Sequence, residues 1–151
     1  MGKERPHIRF PWEHEDSNTL LIKLAFTNIK REIEGALRPL GLTPQQSQTM
    51  HLLAIKPGAM NPDIEQLLFI DKSSVTSLIN GMVRRGWVIR QEHDQDARMK
   101  RIYLTDEGQV KFKQSQEAVQ QAKDKSSNLL TKDETAVLHD LLKKIIKAYE
   151  Q

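Results

Sequence analysis

The stretch from Asp71 to Arg85 constrains this chain more than any other segment. Apolar residues that recur every three or four positions share one face of a helix, and this stretch has such a set in Val75, Leu78, Ile79 and Met82. Asp71 is placed to cap the first turn, and Gly86 is a residue type that tolerates the left-handed backbone of a helix end. The segment therefore predicts an amphipathic helix with its apolar face on a core.

The opposite face carries short polar side chains and one terminal cation: Ser73, Thr76, Ser77, Asn80 and Arg84. A face exposed only to water is usually rich in Glu and Lys, because long charged side chains favour both helix and solvent. Small donors and acceptors can instead approach base edges and phosphates in the major groove of DNA. These residues alone also fit a plain surface helix that carries serines by chance.

The segments before this helix favour the DNA interpretation. Thr43-Pro44-Gln45-Gln46 has the capping-box pattern with proline at the first helical position, and it predicts one helix start. Asn61-Pro62-Asp63 predicts a second, short helix with Asn61 as its N-cap. Its inward residues are expected to be Ile64, Leu67 and Leu68. Two short helices joined by a tight turn predict a helix-turn-helix.

After Gly86 the periodicity changes from helix to strand. Residues 87–91 and 100–104 have strand composition, and a polar run with Asp94, Asp96 and Arg98 lies between them. This pattern predicts a β-hairpin, the wing of a winged helix. The predicted fold is therefore mainly α with a small hairpin (α+β).

The two ends of the chain predict long helices. After an irregular arm, residues 1–16, a first helix starts near Ser17; Thr105 and Thr131 are placed to cap two later ones. The segment 43–104 is expected to fill its own core, so the apolar stripes of 17–42 and 105–151 need another partner. We interpret both as dimerisation segments of a symmetric homodimer, around a DNA-binding region at 43–104.

Composition excludes some classes of protein and permits others. The chain has 151 residues, 38% of them hydrophobic, which suits one domain with a modest core. Its net charge of +3 permits a polyanionic partner. Cysteine is absent, and we find no apolar run of membrane-spanning length and no secretion signal. We expect a cytoplasmic protein without a membrane partner, a metal or another cofactor.

Five short motifs, in their order along the chain, resemble the multiple-antibiotic-resistance regulator (MarR) family of bacterial winged-helix transcription factors. They are Gly41-Leu42-Thr43-Pro44, Ile70-Asp71-Lys72-Ser73-Ser74-Val75-Thr76, Arg85-Gly86-Trp87-Val88, Asp96-Ala97-Arg98 and Leu104-Thr105-Asp106-Glu107-Gly108. The resemblance covers about residues 17–151. It implies a homodimer that binds a palindromic operator in double-stranded DNA, usually as a repressor, and is often released by a small aromatic or phenolic effector.

The DNA-binding residues expected on the recognition helix are Lys72, Ser73, Ser74, Thr76, Ser77, Asn80, Arg84 and Arg85. We expect the serines, the threonine and Asn80 to contact bases, and the three cations to lie nearer phosphates. The chain departs from the family at Ser77, where members often carry a long basic residue, and at Ala97, where they often have a second arginine. The operator sequence therefore does not follow from the resemblance.

In the wing, we expect Arg98 to enter the minor groove and Asp96, two residues earlier, to hold it extended. The strand residues Arg90, Lys100 and Arg101 are expected to contact the DNA backbone. The alternative is that Asp96 and Arg98 form an exposed ion pair of little energetic value.

The resemblance also implies an effector cleft where the dimerisation helices meet the helix-turn-helix. The candidates to line it are Trp12, Phe26, Met50 and His51, although ordinary packing explains each equally well. A second function class, a winged-helix protein-interaction module without operator binding, is favoured by the mild net charge and by Ser77. A third class, an enzyme, has no nucleophile–base pair, phosphate loop or metal signature in its favour.

Overall fold

The computed structural model describes residues 17–93 and 96–150, with the backbone alone at positions 93 and 96–98. Within these residues it has six α-helices and one two-stranded antiparallel sheet, so the predicted fold class is confirmed. The elements are α1 Asn18–Leu37, α2 Pro44–Ile55, α3 Asn61–Leu68, α4 Lys72–Arg84, β1 Val88–His93, β2 Asp96–Leu104, α5 Asp106–Ser127 and α6 Lys132–Lys147.

Side-chain caps begin most of these helices where the sequence predicts them. The hydroxyls of Thr43, Thr105 and Thr131 accept hydrogen bonds of 3.0–3.2 Å from amides three residues further on. The caps at Thr43 and Thr131 are full capping boxes, because Gln46 and Glu134 accept in return from the cap amides. These starts are local events, which explains why the sequence alone locates them.

The start of α3 differs from the prediction. Met60, not Asn61, is the N-cap residue, and the Asp63 carboxylate accepts from the Met60 amide at 2.8 Å. That amide, together with the Lys56 ammonium at 2.9 Å, lowers the pKa of Asp63. Leu67 was also expected to face inward, but it is 41% exposed. Both predictions were wrong. The Asp63 carboxylate binds the Met60 amide and so moves the N-cap by one residue, and Leu67 borders a cavity between α1, α2, α3 and α5.

The core lies between the helix-turn-helix and the hairpin. Its fully buried side chains come from α1, α2, α3, α4, β1 and β2, and include Leu37, Met50, Leu53, Ile64, Val75, Ile79, Met82, Val88 and Ile102. Leu37 belongs to α1, and Phe112 and Val119 of α5 pack against the same cluster. The expectation that residues 43–104 fill their own core was therefore wrong, because both end segments close it.

The hairpin is longer than the sequence predicts. Val88 to Glu92 pair regularly with Leu104 to Lys100, and an irregularity follows, at which His93 pairs with Asp96. Asp96 and Arg98 thus belong to β2 and not to a loop between the strands. On its other edge β2 bonds to the loop between α2 and α3, since the Ile102 amide donates to the Ala59 carbonyl at 2.9 Å. The base of the wing is therefore fixed to the helical part of the chain along the outer edge of β2.

The corner between α4 and the hairpin holds the start of α5. The Thr105 hydroxyl donates to the Gly86 carbonyl, and the Thr105 amide donates to the Trp87 carbonyl at 3.0 Å. A Cβ atom on Gly108 would lie 2.0 Å from the Trp87 carbonyl oxygen, so a side chain there is excluded. Because α5 is anchored at this corner and packs along α1, its direction is set by the end of α4.

Candidate nucleic-acid interface

Helix α4 divides into two faces, as predicted. The side chains of Val75, Ile79 and Met82 are fully buried, and Leu78 packs against the core at partial burial. On the other face Ser73, Ser74, Thr76, Ser77 and Arg84 are exposed. The structure thus leaves a surface of short polar groups free to approach a polyanion closely, and the apolar face holds that surface rigidly on the core.

The first turn of α4 is built around Asp71. Its carboxylate accepts from the Ser74 amide at 2.7 Å and from the Ser73 hydroxyl at 2.9 Å, which confirms the predicted N-cap. The Ser74 amide, then the hydroxyls of Ser74 and Ser73, lower the pKa of Asp71. The Thr76 hydroxyl donates back to the Lys72 carbonyl at 3.0 Å. The oxygens of Ser73 and Thr76 are therefore presented outward mainly as acceptors, which suits the exocyclic amino groups of adenine or cytosine.

Asn80 has a partner that the sequence did not predict. Its amide oxygen accepts a 2.6 Å hydrogen bond from the Arg90 guanidinium of β1. Both side chains are half-buried, whereas the neighbouring serines are exposed. The amide oxygen that was expected to contact a DNA base is thus already hydrogen-bonded to β1 of the wing. Sequence periodicity could not find this pair, because it joins a helix to a strand.

The cations at the end of α4 have different surroundings. Arg84 is exposed on the polar face. The guanidinium carbon of Arg85 lies 5.1 Å from the ring centroid of Trp87, and the Lys111 ammonium lies 5.9 Å from the same ring. Arg85 therefore has a structural contact at the corner of α4 and β1, and its expected phosphate contact stays a prediction.

A cleft of about 500 Å³ separates α4 from the hairpin. It is lined from α3, α4 and both strands by Met60, Asn61, Pro62, Glu65, Lys72, Thr76, Asn80, Arg90, Met99 and Lys100. Three of these residues are cations and one is acidic, which leaves a net charge of +2. Three cations predicted separately, Lys72, Arg90 and Lys100, are thus brought together at one opening.

The remaining wing residues are described in part. Lys100 is exposed, and Arg101 is half-buried with its guanidinium 3.4 Å from the Gly58 carbonyl, to which it donates. Arg101 therefore braces the loop between α2 and α3. The side chains of Asp96 and Arg98 lie outside the described residues, so their roles stay predictions.

The four effector candidates do not share a cavity through their described residues. Met50 is fully buried in the core, where it has no surface to offer a ligand. The ring of His51 lies 5.9 Å from that of Phe112, measured between centroids. Phe26 does line a cavity of about 480 Å³ between α1, α2, α3 and α5. Trp12 lies outside the described residues.

The residues around Phe26 in that cavity were missed from sequence. Its walls include the apolar side chains Ile29, Ile33, Leu68, Phe69 and Val119, and two cations, Lys30 and Lys123, stand at it. These residues come from four helices that are far apart in sequence. The only available signal was the apolar stripe of α1, which indicates packing as readily as ligand binding.

Two searches of the described residues found nothing. No cluster of three or more His, Cys, Asp or Glu side chains suited to a metal ion occurs among them. No helix in this part of the chain is long and apolar enough to cross a membrane.

Comparison with known proteins supports the interpretation of this site. A model of the MarR family matches residues 40–99, which hold the helix-turn-helix and most of the wing. The multiple antibiotic resistance protein MarR of Escherichia coli (strain K12) is 27% identical over 127 residues, 83% of this chain and 88% of that protein. The protein of the same name from Salmonella typhimurium is 28% identical over 118 residues, 77% of this chain and 81% of that protein.

Solved structures resemble the whole described fold. A MarR mutant from E. coli complexed with operator DNA has a TM-score of 0.80 at 25% identity, over 91% of this chain and 99% of that one. The Staphylococcus aureus MepR–DNA complex has a TM-score of 0.81 over 89% of this chain and 99% of that one, but at 20% identity it shows the fold alone.

The winged helix, its exposed polar helix face and the flanking helices define the class of winged-helix transcription regulators that bind DNA. Within that class, the sequence and fold resemble those of the MarR family. Proteins of this family are transcription regulators and not enzymes.

Proposed function

We propose that this protein is a transcriptional repressor that binds a palindromic operator as a homodimer and is released by a small aromatic or phenolic effector. Helix α4 enters the major groove, and the β1–β2 hairpin contacts the adjacent minor groove. The observation that carries the proposal is the exposed face of short polar side chains on a helix whose other face packs on the core. The similarity to a MarR mutant from E. coli that was solved in complex with operator DNA supports DNA binding by this fold.

Base contacts fall to the exposed hydroxyls of Ser73, Ser74, Thr76 and Ser77. The acceptor oxygens of Ser73 and Thr76 favour bases with exocyclic amino groups, and the Thr76 methyl can contact the thymine methyl. Lys72, Arg84 and Lys100 contribute phosphate contacts, which raise affinity for every sequence and make it salt-dependent. Arg98 inserts into the minor groove.

Pairing of two chains follows from the apolar surfaces of the end helices. In α1, Leu21 and Ile22 lie beside Leu141 and Ile145 of α6, and all four are exposed in a single chain. Covering such a surface with its own copy gives a closed dimer with two α4 helices related by a twofold axis. The operator then has twofold symmetry, with half-sites about one helical turn of DNA, or a multiple of it, apart.

The operator assignment is tested by footprinting on the DNA upstream of the protein's own gene, together with gel shifts on the protected duplex. We expect one protected inverted repeat. Arg98→Ala should weaken binding without dissociating the dimer, and Ser77→Ala should change which base substitutions matter. Uniform, weak, sequence-independent binding by the wild-type protein would contradict the proposal and favour a protein-interaction module.

The effector is assigned to the cavity around Phe26. Its apolar walls suit an aromatic ring, and the two lysines suit an anionic or phenolic oxygen. Calorimetry with a panel of aromatic acids and phenols tests this assignment. Lys123→Gln should weaken binding of an acidic ligand, whereas the matched change Lys132→Gln on α6 should not. Equal heats for both variants would exclude this cavity.

A further inference from the structure

The contact between Asn80 and Arg90 joins the recognition helix to the wing. Asn80 lies in the second half of α4, and Arg90 lies in β1 opposite Ile102 of β2. The Arg90 guanidinium can only donate, so the Asn80 atom it contacts at 2.6 Å must be the amide oxygen. This identity follows from the chemistry of the pair and not from a choice of amide orientation.

The acceptor in this contact is neutral. A carboxylate at position 80 would form an ion pair with Arg90 and cancel its charge towards a third group, whereas an amide oxygen fixes the guanidinium without cancelling it. The cleft that the pair faces also holds Lys72 and Lys100, and Glu65 is the one acidic residue among its described lining residues. A fixed Arg90 therefore adds a full positive charge to an opening between the helix and the wing.

We infer that Asn80 is a positioning residue that holds Arg90 as a cation for a DNA backbone phosphate between the two DNA-contacting elements. This inference rests on the proposed function, and it replaces the expectation that Asn80 contacts a base. The Arg90 guanidinium has further N–H groups with which to donate to a phosphate once one of them is bonded to Asn80. Asn80 acts through Arg90, so its effect on DNA binding is independent of base sequence.

The first test is the salt dependence of binding, measured by fluorescence anisotropy with a duplex from the gene's upstream region. Asn80→Asp keeps an acceptor of the same shape but pairs Arg90 with a negative charge. We expect affinity to fall about tenfold and the slope of log K against log [salt] to shrink by about 0.9, the value of one phosphate contact. Gln114→Glu on α5 adds the same charge at an exposed position, and it should leave both quantities unchanged.

The second test asks whether Asn80 acts through Arg90. Asn80→Ala should weaken binding in the wild-type background but have no further effect in an Arg90→Gln background, because its partner is already lost. Its relative affinities for a set of single-base operator variants should match those of the wild type. A melting curve for each variant confirms folding, and the Arg90→Gln single variant reports on the same contact if Asn80→Asp does not fold.

The outcomes separate this inference from the proposed function. Wild-type protein that binds no duplex overturns both. Wild-type binding together with an unchanged salt slope in Asn80→Asp or in Arg90→Gln overturns the positioning role alone. A changed base preference in Asn80→Ala, or additive effects of the two substitutions, also overturns it, because either result makes Asn80 a direct contact.

Discussion

Helices α4 and α6 look alike in sequence but differ in the folded chain. Both have a cap at the first turn and an apolar stripe at helical spacing. The stripe of α4 is buried, with Val75, Ile79 and Met82 fully inaccessible. The stripe of α6 is open, and Leu141 is 53% exposed and Ile146 57% exposed. The same apolar pattern is thus buried inside one chain in α4. In α6, as we propose, it is buried between two chains.

The difference teaches what an amphipathic pattern can indicate. It shows that the apolar face will be buried, since burial of apolar surface stabilises the folded protein by roughly 25 cal/mol per Å². It does not show which surface will cover that face. The α4 stripe is covered by the core that it forms with the hairpin and helices α1, α2, α3 and α5, whereas none of the residues of α6, all of which the structure describes, is buried.

The largest effect on the free energy of unfolding is expected when a buried side chain of α4 is truncated. Ile79→Ala removes a fully buried side chain and leaves a cavity, so the free energy of unfolding should fall by about 2–5 kcal/mol. Urea titration at several protein concentrations measures this loss, which should be the same at each. Ile146→Ala on the open stripe is the matched control. If both variants lost the same free energy of unfolding at low protein concentration, the distinction between a buried α4 stripe and an exposed α6 stripe would be wrong.

The next effect concerns the surface of α6. Leu141→Asp places a charge in the proposed contact between chains, and we expect the dimer dissociation constant to rise roughly a hundredfold or more. Sedimentation velocity measures the change. His139→Asp introduces the same residue at an exposed position on the other side of α6, and it should leave the dimer intact. A wild-type protein that sediments as a single chain would contradict the dimer itself.

A smaller effect on stability is expected at Phe69, an exposed apolar residue that belongs to neither the α4 stripe nor the α6 stripe. Phe69 ends α3 with φ at 54° and is 93% exposed, so it bears left-handed strain without burial to offset it. Phe69→Asn should raise the free energy of unfolding by about 0.5–1 kcal/mol, because Asn tolerates this backbone. Thermal melting measures it. Destabilisation would show that Phe69 is covered in the assembled protein, as a wall of the cavity around Phe26.

The smallest effect is a difference in how the N-terminal caps of α4 and α6 contribute to the pH dependence of stability. The pKa values of Asp71 and Glu134 are lowered by the amides, and then by the hydroxyls, that they contact. A lowered pKa in the folded state means stability that is present above the unfolded value and lost as the pH falls through the folded value. Stability should therefore decline below about pH 4.

Amide substitutions separate the two caps. Asp71→Asn keeps a good N-cap, so it should retain most stability at pH 7 and flatten the acid decline. Glu134→Gln keeps the acceptor of its capping box and should flatten the decline less at low protein concentration, because α6 adds no buried residue to the single chain. Urea midpoints between pH 3 and 7 measure both. A larger effect for Glu134→Gln would mean that α6 belongs to the same cooperative unit as α4.

Much of the fold could be predicted because its signals are local. The caps at Thr43, Asp71, Thr105 and Thr131 each depend on a residue and an amide three positions away. The strand composition that predicts the hairpin is local as well. Predictions failed where another residue formed hydrogen bonds that the local sequence pattern did not indicate. Asp63 displaced the cap of α3, and extended pairing drew Asp96 and Arg98 into β2.

The DNA-contacting surface was predictable only in outline. Periodicity assigned the exposed hydroxyls of α4 to one face, because their spacing along a single helix fixes their direction. The partners of Asn80, Arg85 and Arg101 lie on other elements, and sequence spacing carries no information about them.

The sequence by itself determined where most of the helices begin, where their apolar stripes lie, and that a helix with a polar face precedes a hairpin. Hydrogen bonds within one turn and periodic burial require only neighbouring residues. The tertiary structure alone decided that α1 and α5 help close the core, that the α6 stripe stays open, and that Asn80 bonds to Arg90. Such pairings depend on how separate elements pack against one another, and packing is settled by the shape and chemistry of the whole chain.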